Sequence, residues 1–343
     1  MFELNINQTS ESTAFDTVDT WDLLIIGAGP AGLNAALYAK RKGLEVGLIA
    51  KETGGQLHNT NEVDNYLGFS MIEGKGLSDK FKQHVDTLDI PYKHDVDVTK
   101  LVPTYPGYTL TLSNGQTLNT KTVLMATGGK PRHLDIPGEA AFANKGVSYC
   151  TTCDAPFFKD KHVIVAGGGN AAAEAVLDLT VYARHVTVVH RSQWRADQVL
   201  LDKISAKPNV TIHLETQLLT IEGDRVMERV QVLDKATNTT RTIDAEGLFI
   251  EIGNVPNSHL IASIVDTNQN QEVLVNSDQS TSLPGLYAAG DITANPHKQI
   301  IIAAAEGAKA ALAANQYINQ SYKENSYGKS TESRSYPTNR NYS

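Results

Sequence analysis

Cys150-Thr151-Thr152-Cys153 is followed at once by Asp154, and its two cysteines are the only ones in the 343-residue chain. Thiols at this spacing can close on each other and reopen, and CxxC spacing lowers a thiol's pKa enough for exchange with other disulfides. A bond across so short a loop restrains the unfolded chain little, so its value is chemical rather than structural. Half of a zinc site and a pair of unreactive thiols are the alternatives. Zinc needs further ligands, and neither a second CxxC nor a nearby histidine pair occurs. Redox exchange is therefore the stronger reading, and no metal is expected.

Two glycine-rich stretches could hold phosphates. Gly27-x-Gly29-x-x-Gly32 matches the dinucleotide fingerprint in full. Glycine there serves the turn, the approach of backbone to pyrophosphate, and helix packing on the strand. The helix behind it offers free N–H groups and partial positive charge to the phosphates. Downstream, Ala288-Ala289-Gly290-Asp291 supplies an acid suited to the ribityl or phosphate region of a flavin. No acid ends the second strand, where Ala50-Lys51-Glu52 stands, so Glu52 or backbone groups would hold the adenosine ribose. The second stretch, Gly167-x-Gly169-x-x-Ala172, has alanine in third place and still favours a nucleotide over a plain turn. His190-Arg191-Ser192-Gln193-Trp194-Arg195 follows the next strand without an acid for a ribose 2′-hydroxyl. Its arginines lean toward NADP, with a solvated basic loop as the plainer reading.

These loops need strands and helices to hold them. Asp22–Ile26 reads as a strand, Leu33–Arg41 as a helix, and a second strand lies near Glu45–Ala50. The pattern returns as strand His162–Ala166, helix Ala173–Leu179 and strand His185–His190. Val123–Gly129 and Leu286–Asp291 read as strand ends beside the first unit. The expected fold class is α/β: two Rossmann-like, doubly wound, three-layer nucleotide-binding domains, the second inserted in the first. An FAD-binding domain would comprise 21–130 and 256–320, and an NAD(P)-binding domain carrying the CxxC would comprise 131–255. Residues 1–20 read as a mobile N-terminal extension. Lys298–Tyr317 reads as one apolar helix. The polar tail 321–343 carries Tyr322, Tyr327, Tyr336 and Tyr342 without an aliphatic side chain, and disorder is its default.

The chain is 41% hydrophobic and 20% charged with a net charge of −8, which argues for a globular protein and against nucleic acid as partner. No apolar run reaches the roughly eighteen residues of a membrane span, and the N-terminus lacks the blocks of a secretory signal. Reactive cysteines fit a reducing compartment, so cytoplasm is the default expectation.

The order of these motifs resembles the low-molecular-weight thioredoxin reductase family of flavoproteins. Gly54-Gly55-Gln56-Leu57, Glu62-Val63-Asp64-Asn65-Tyr66, the CxxC-Asp and Lys298-Gln299-Ile300 carry the likeness over roughly 21–318. Ala196–Leu200 and Lys298–Ala303 look closer still to the flavoprotein part of alkyl hydroperoxide reductase. The chain lacks the N-terminal thioredoxin-like domains of that flavoprotein, so a separate thiol carrier is expected. The resemblance implies FAD held at its phosphates by Gly27, Gly29, Pro30, Ala31 and Gly32. Along the rest of it would lie Gly55, Gln56, Leu57, Asn65, Thr127, Gly128, Gly290, Asp291, Lys298, Gln299 and Ile300. A helix starting near Gln299 would turn its positive end to the flavin, worth about 0.3–1 kcal/mol, or more if buried. For NADPH the resemblance implies Gly167, Gly169, Asn170, Ala171, Ala172 and Glu174, with His190, Arg191 and Arg195 at the basic stretch.

It further implies a relay from NADPH through FAD to the disulfide at Cys153. Cys150 is released as thiolate, attacks the disulfide of thioredoxin or a similar small protein, and Cys153 resolves the mixed disulfide. Asp154 would donate and accept protons there, its plainer role being a helix cap. The second domain would rotate about Gly128–Pro131 and Gly253–Pro256, and the protein would be a homodimer. Some features depart from the family. Ala171 stands where serine is usual, Ser192 replaces a second arginine in a shorter loop, and the tyrosine-bearing tail is an addition. These resemble members that take electrons from ferredoxin without pyridine nucleotide, which is the first alternative. A dithiol oxidase using oxygen and a non-enzymatic flavin-bound sensor are the others.

Overall fold

The computed structural model describes residues 14–327 except residue 61. Leu23, Leu24, Ile25 and Ile26 are all buried because their strand, Trp21–Ala28, is central. It pairs in parallel with Val46–Thr53 on one side and Thr117–Met125 on the other. Successive side chains of a strand point to opposite faces. Leu23 and Ile25 accordingly pack with Ala35, Ala36, Ala310 and Ala311 of two helices, while Leu24 and Ile26 join Leu110, Ile261 and Val273 behind the sheet. Cover on both faces explains an apolar run without alternation.

Tyr92–Lys93 extends this seven-stranded sheet beyond Val46–Thr53, and Gly107–Leu112 and Val98–Thr104 extend it beyond Thr117–Met125. The long strand Thr117–Met125 pairs antiparallel with Gly107–Leu112 through its first residues. Through Val123–Met125 it takes Leu286–Ala288 in parallel. That late strand delivers Gly290 and Asp291 beside the Gly27 turn. Helices Pro30–Arg41 and Ile300–Tyr327 press together so closely that a Cβ on Gly307 would overlap the Ala31 carbonyl.

A second, five-stranded parallel sheet has the order Val147–Ser148, Gly247–Ile250, His162–Ala166, His185–Val189, Val210–His213. Here Val163 and Val165 pack against the helix Asn170–Tyr182, and Ile164 and Ala166 against an antiparallel three-stranded sheet of 216–244. The chain passes between the two large sheets along Gly129–Pro131 and Asn254–Pro256, which pair antiparallel. The fold is thus the expected α/β class with two Rossmann-like parallel cores. No helix among the described residues is long and apolar enough to cross a membrane.

Two expectations change. Residues 14–20 are part of the fold: Ala14–Thr17 is helical, Phe15 is only 3% exposed, and its ring lies 4.9 Å from that of Trp21. One aromatic residue in a polar stretch is enough to anchor it. The last helix begins at Ile300 and its backbone continues to Tyr327, ten residues beyond the expected end at Tyr317. Lys, Glu and Asn sustain a helix without an apolar stripe once packing upstream has nucleated it. Residues 1–13 of the expected extension, and the tail from 328 with Tyr336 and Tyr342, lie outside the described residues.

Candidate active site

A cavity of about 2030 Å³ is lined by residues of both sheets, well beyond the roughly 300–1,000 Å³ of an ordinary small-molecule pocket. From the first sheet and its loops come Gly27, Gly29, Pro30 and Ala31, then Gly55, Gln56, Leu57 and Asn65, then Thr127 and Gly128. Gly290, Asp291, Lys298, Gln299 and Ile300 join them. Gly27 has φ +107, and a Cβ there would overlap the Ala126 carbonyl. Gly32 does not line the cavity: a Cβ on it would strike the Gly27 carbonyl, so its role is helix–strand packing. Glu52 lines the cavity beside Ala50 and Lys51, as an adenosine ribose contact would require.

Several features fit FAD. Gly29 opens onto free space, with nothing within 4 Å of its Cβ position, so a phosphate can approach the backbone. Burial pushes the Asp291 carboxyl above its usual range, only partly opposed by Lys298, and no described residue donates a hydrogen bond to it. It is an acceptor left for a ligand hydroxyl. The helix at Ile300 starts on the cavity wall and presents unpaired N–H groups there. Lys298 lines the cavity with its ammonium held by Glu272 Oε1 at 3.0 Å, Asp291 O at 3.2 Å and the Thr293 carbonyl. It fastens the Asp291 loop. Glu306 does the same from below, accepting from Gly290 N at 2.7 Å and from Asn295. Thr127 donates to Asn257 O and Gln56 to Gly129 O, so both brace the cavity wall, while Asn65 donates to Gln299.

From the second sheet come Cys150, Cys153 and Asp154, with Ala171 and Glu174. Cys150 and Cys153 are disulfide-bonded, and Cys150 Sγ caps the helix Thr151–Asp154 by accepting from Cys153 N at 3.3 Å. Asp154 stands at the N-cap position of the next short turn, Ala155–Phe158, but makes no side-chain capping hydrogen bond there. Ser148 Oγ donates to its Oδ2 at 2.6 Å and accepts from Cys150 N at 3.1 Å, tying acid and disulfide together. Burial raises the Asp154 carboxyl above its ordinary value, against the Ser148 hydrogen bond, and Asp64 and Glu62 add to the rise. On the side of Tyr149, buried Glu139 accepts from Tyr149 Oη at 2.8 Å, Asp135 N at 2.7 Å and Leu134 N at 3.2 Å, with His133 Nδ1 at 3.0 Å. Burial works to raise Glu139, but these donors outweigh it and hold the carboxyl low. Thr151 donates through N and Oγ1 to Glu251. Among the described residues no cluster could hold a metal ion.

Gly167, Gly169, Asn170 and Ala172 form the second turn and lie outside the large cavity. Gly169, like Gly29, has nothing within 4 Å of its Cβ position, so this turn also fits a nucleotide phosphate. A Cβ on Gly167 would come within 2.3 Å of the Glu251 carbonyl oxygen and 2.7 Å of the Ala172 methyl, so glycine is demanded at 167. Asn170 and Asp197 exchange two hydrogen bonds that fix the turn to the following loop. Arg191 and Arg195 are exposed beside it. His190 is not, being buried under Gly168 with its ring bonded to Ser192 Oγ at 3.0 Å. Burial, then Arg195 and Arg191, lower its pKa, and its ring packs beneath the turn at Gly168. Ser148, Glu139, Glu251, Asn257 and Glu306 escape a reading of the sequence. None stands in a motif, and each acts on a partner brought close only by folding.

The family model described as pyridine nucleotide-disulphide oxidoreductase matches residues 21–308. An alkyl hydroperoxide reductase subunit of Staphylococcus epidermidis is 37% identical over 91% of this chain and 62% of its own length. The corresponding Escherichia coli protein, of the same name, is 38% identical over 88% and 58%. The chain thus spans about three fifths of the curated relatives it matches. Thioredoxin reductase from Streptococcus pyogenes superposes with a TM-score of 0.83 at 33% identity, covering 88% of this chain and 99% of that one. With this match, the two glycine turns and the disulfide in the shared cavity, the chain belongs to the pyridine nucleotide-disulphide oxidoreductase family, whose cofactors are FAD and NAD(P)H, and is an oxidoreductase of thioredoxin reductase-like fold.

Proposed function

We propose that the protein passes electrons from NADPH to the disulfide of thioredoxin or a similar small thiol carrier. The observation that supports this most is the Cys150–Cys153 disulfide in the same cavity as the Gly27 turn, Asp291 and the Ile300 helix end. FAD bound there would supply two-electron chemistry, taking a hydride equivalent from the nicotinamide and giving an electron pair to the disulfide. Gly27, Gly29, Pro30 and Ala31 would hold its phosphates and Asp291 its sugar chain. Opening the disulfide to two thiols takes two electrons and two protons, of which the hydride equivalent would account for the electron pair and one proton, leaving one proton for a protein group to supply. Asp154, with its raised carboxyl beside the Cys150 turn, is the donor we assign, and Ser148 orients it. Cys150 is the thiol that attacks the carrier, and Cys153 then displaces the reduced carrier.

The arginines beside the second turn support NADPH. NADH is the second reading, because a Bacillus subtilis relative 37% identical over 90% of this chain is named NADH dehydrogenase. We further assign 21–130 with 256–320 to FAD, and 131–255 to the pyridine nucleotide. Gly128–Pro131 and Gly253–Pro256 serve as hinge, in a cytoplasmic homodimer. Anaerobic titration with NADPH, NADH and reduced ferredoxin in parallel tests the donor: NADPH should bleach the flavin at the lowest concentration. Cys150→Ser should abolish reduction of thioredoxin and leave that bleaching intact. Bleaching by ferredoxin alone would replace the proposal with the ferredoxin reading.

A further inference from the structure

Glu251 follows the strand Gly247–Ile250 and serves two sites. Its backbone N–H donates to Ala166 O at 2.8 Å, at the strand end that opens into the Gly167 turn. Its carbonyl oxygen occupies the space a Cβ on Gly167 would need. The side chain turns the other way. Oε1 accepts from Thr151 Oγ1 at 2.7 Å and from Thr151 N at 3.3 Å. Thr151 is the residue between Cys150 and the rest of the redox helix, so this carboxylate grips the disulfide turn from 100 positions away.

The charged surroundings are one-sided. Asp178, on the helix Asn170–Tyr182, acts on Glu251 directly. Glu174 of the same helix and Asp154 of the redox turn line the same cavity. Lys161, before the strand His162–Ala166, and Lys130 of the connector also line it, and Arg132 lies against Gly253. None of these three makes an ion pair with Glu251 among the described residues. Burial pushes the carboxyl up to about 7, against the two Thr151 donors, and Asp178 adds to the rise. Glu251 therefore exchanges its proton close to the range in which a CxxC thiol exchanges one.

We propose that Glu251 is a positioning residue for disulfide exchange: it orients the Cys150 turn through Thr151 and, once ionised, opposes formation of the Cys150 thiolate. The proposal rests on Cys150 being the attacking thiol. A second negative charge beside an existing one is disfavoured, and the two titrations become coupled. Both Thr151 donors are also committed to the carboxylate, so neither is free to stabilise sulfur. At neutral pH the carboxylate then limits the free thiolate, and protonating or replacing it releases the thiol.

The test uses the full-length, flavin-loaded protein in a Cys153→Ser background, where Cys150 is the sole cysteine. The rate of iodoacetamide alkylation is followed against pH, with flavin absorbance reporting that each variant is folded. Glu251→Gln keeps an oxygen acceptor and removes the charge. It should move the alkylation midpoint down by about one pH unit, with up to a roughly tenfold faster reaction between about pH 7 and the parent midpoint and converging profiles at lower pH, where the parent's Glu251 is itself protonated. Thr151→Val removes the hydroxyl donor, raises the Glu251 carboxyl further, and should move the midpoint the same way by less. Thr151→Ser should restore the parent profile. Profiles of Glu251→Gln and Thr151→Val that superimpose on the parent would overturn the proposal, and if one variant fails to fold the other decides. Neither NADPH nor a carrier protein takes part, so this outcome is independent of the proposed donor and substrate.

Discussion

Ser148 Oγ lies between Asp154 Oδ2 and Cys150 N, so one hydroxyl couples an acid with a raised carboxyl to the thiol it would serve. If Asp154 gives its proton to sulfur, disulfide reduction declines as pH rises through its pKa. Asp154→Asn should cut turnover with thioredoxin by roughly 10²-fold, the lower end of what a placed general acid contributes, while flavin bleaching by NADPH persists. Ser148→Ala removes the hydrogen bond that lowers the Asp154 pKa, so the alkaline limb of the rate profile should move to higher pH. Glu251 makes a separate prediction for stability. Its folded carboxyl titrates at about 7 against 4.5 for the free group, so between these values the unfolded chain holds fewer protons. Stability from this group is therefore lost as pH rises through that window. The thermal midpoint of Glu251→Gln relative to wild type should rise from about pH 4.5 to 7 and level off above, as differential scanning fluorimetry would show. The Cys150–Cys153 disulfide was legible because its chemistry lies in local spacing, whereas the role of Asp154 was an expectation from the family resemblance. Glu251 and Glu306 were not legible, since a glutamate in a sequence carries no sign of the hydroxyl or N–H it will meet after folding.

The two glycines of the first unit separate the folding role of an element from its binding role. A Cβ at Gly29 meets nothing within 4 Å and faces the cavity, whereas one at Gly307 runs into the Ala31 carbonyl between two helices. Gly29→Ala should leave thermal stability of the flavin-free protein unchanged and weaken FAD retention on dialysis. Gly307→Ala should lower stability itself, by about 1–3 kcal/mol as overpacked cores do, and release flavin because Ala31 and Ile300 shift together. Equal stability losses in the two variants would contradict this division. Strand–turn–helix order was readable from the apolar runs and glycines at 27 and 167. The close approach of helix Ile300–Tyr327 to helix Pro30–Arg41 was not, because Ala and Gly positions show where packing can be tight and not which partner fills them. Phe15 illustrates the same limit at the N-terminus: its burial depends on Trp21 and the far side of the sheet.

Across the whole molecule, the arginines and the disulfide occupy different places: Arg191 and Arg195 stand by a turn outside the cavity, and Cys150 lies within it. Under the proposed function, such a layout would separate the site that selects the pyridine nucleotide from the site that hands electrons on, and the connectors Gly129–Pro131 and Asn254–Pro256 are the chain's passage between the two sheets. The duplicated glycine pattern revealed both sheets, yet only the folded chain shows that Ala171 and Glu174 reach the cavity while the rest of their turn does not. A charged hydrogen bond to a 2′-phosphate contributes about 1.5–3 kcal/mol. Removing both arginines should therefore raise KM for NADPH by roughly 10–100-fold, counting solvent exposure against the larger figure. KM for NADH, which lacks that phosphate, should stay near its starting value. Disulfide reduction driven by chemically reduced flavin should be unaffected, because no step at Cys150 involves the basic loop. Steady-state kinetics with each nucleotide at two ionic strengths measures this. Parallel losses with NADPH and NADH would mean that the arginines hold the turn itself rather than read the phosphate, and specificity would then have to come from elsewhere on the second sheet.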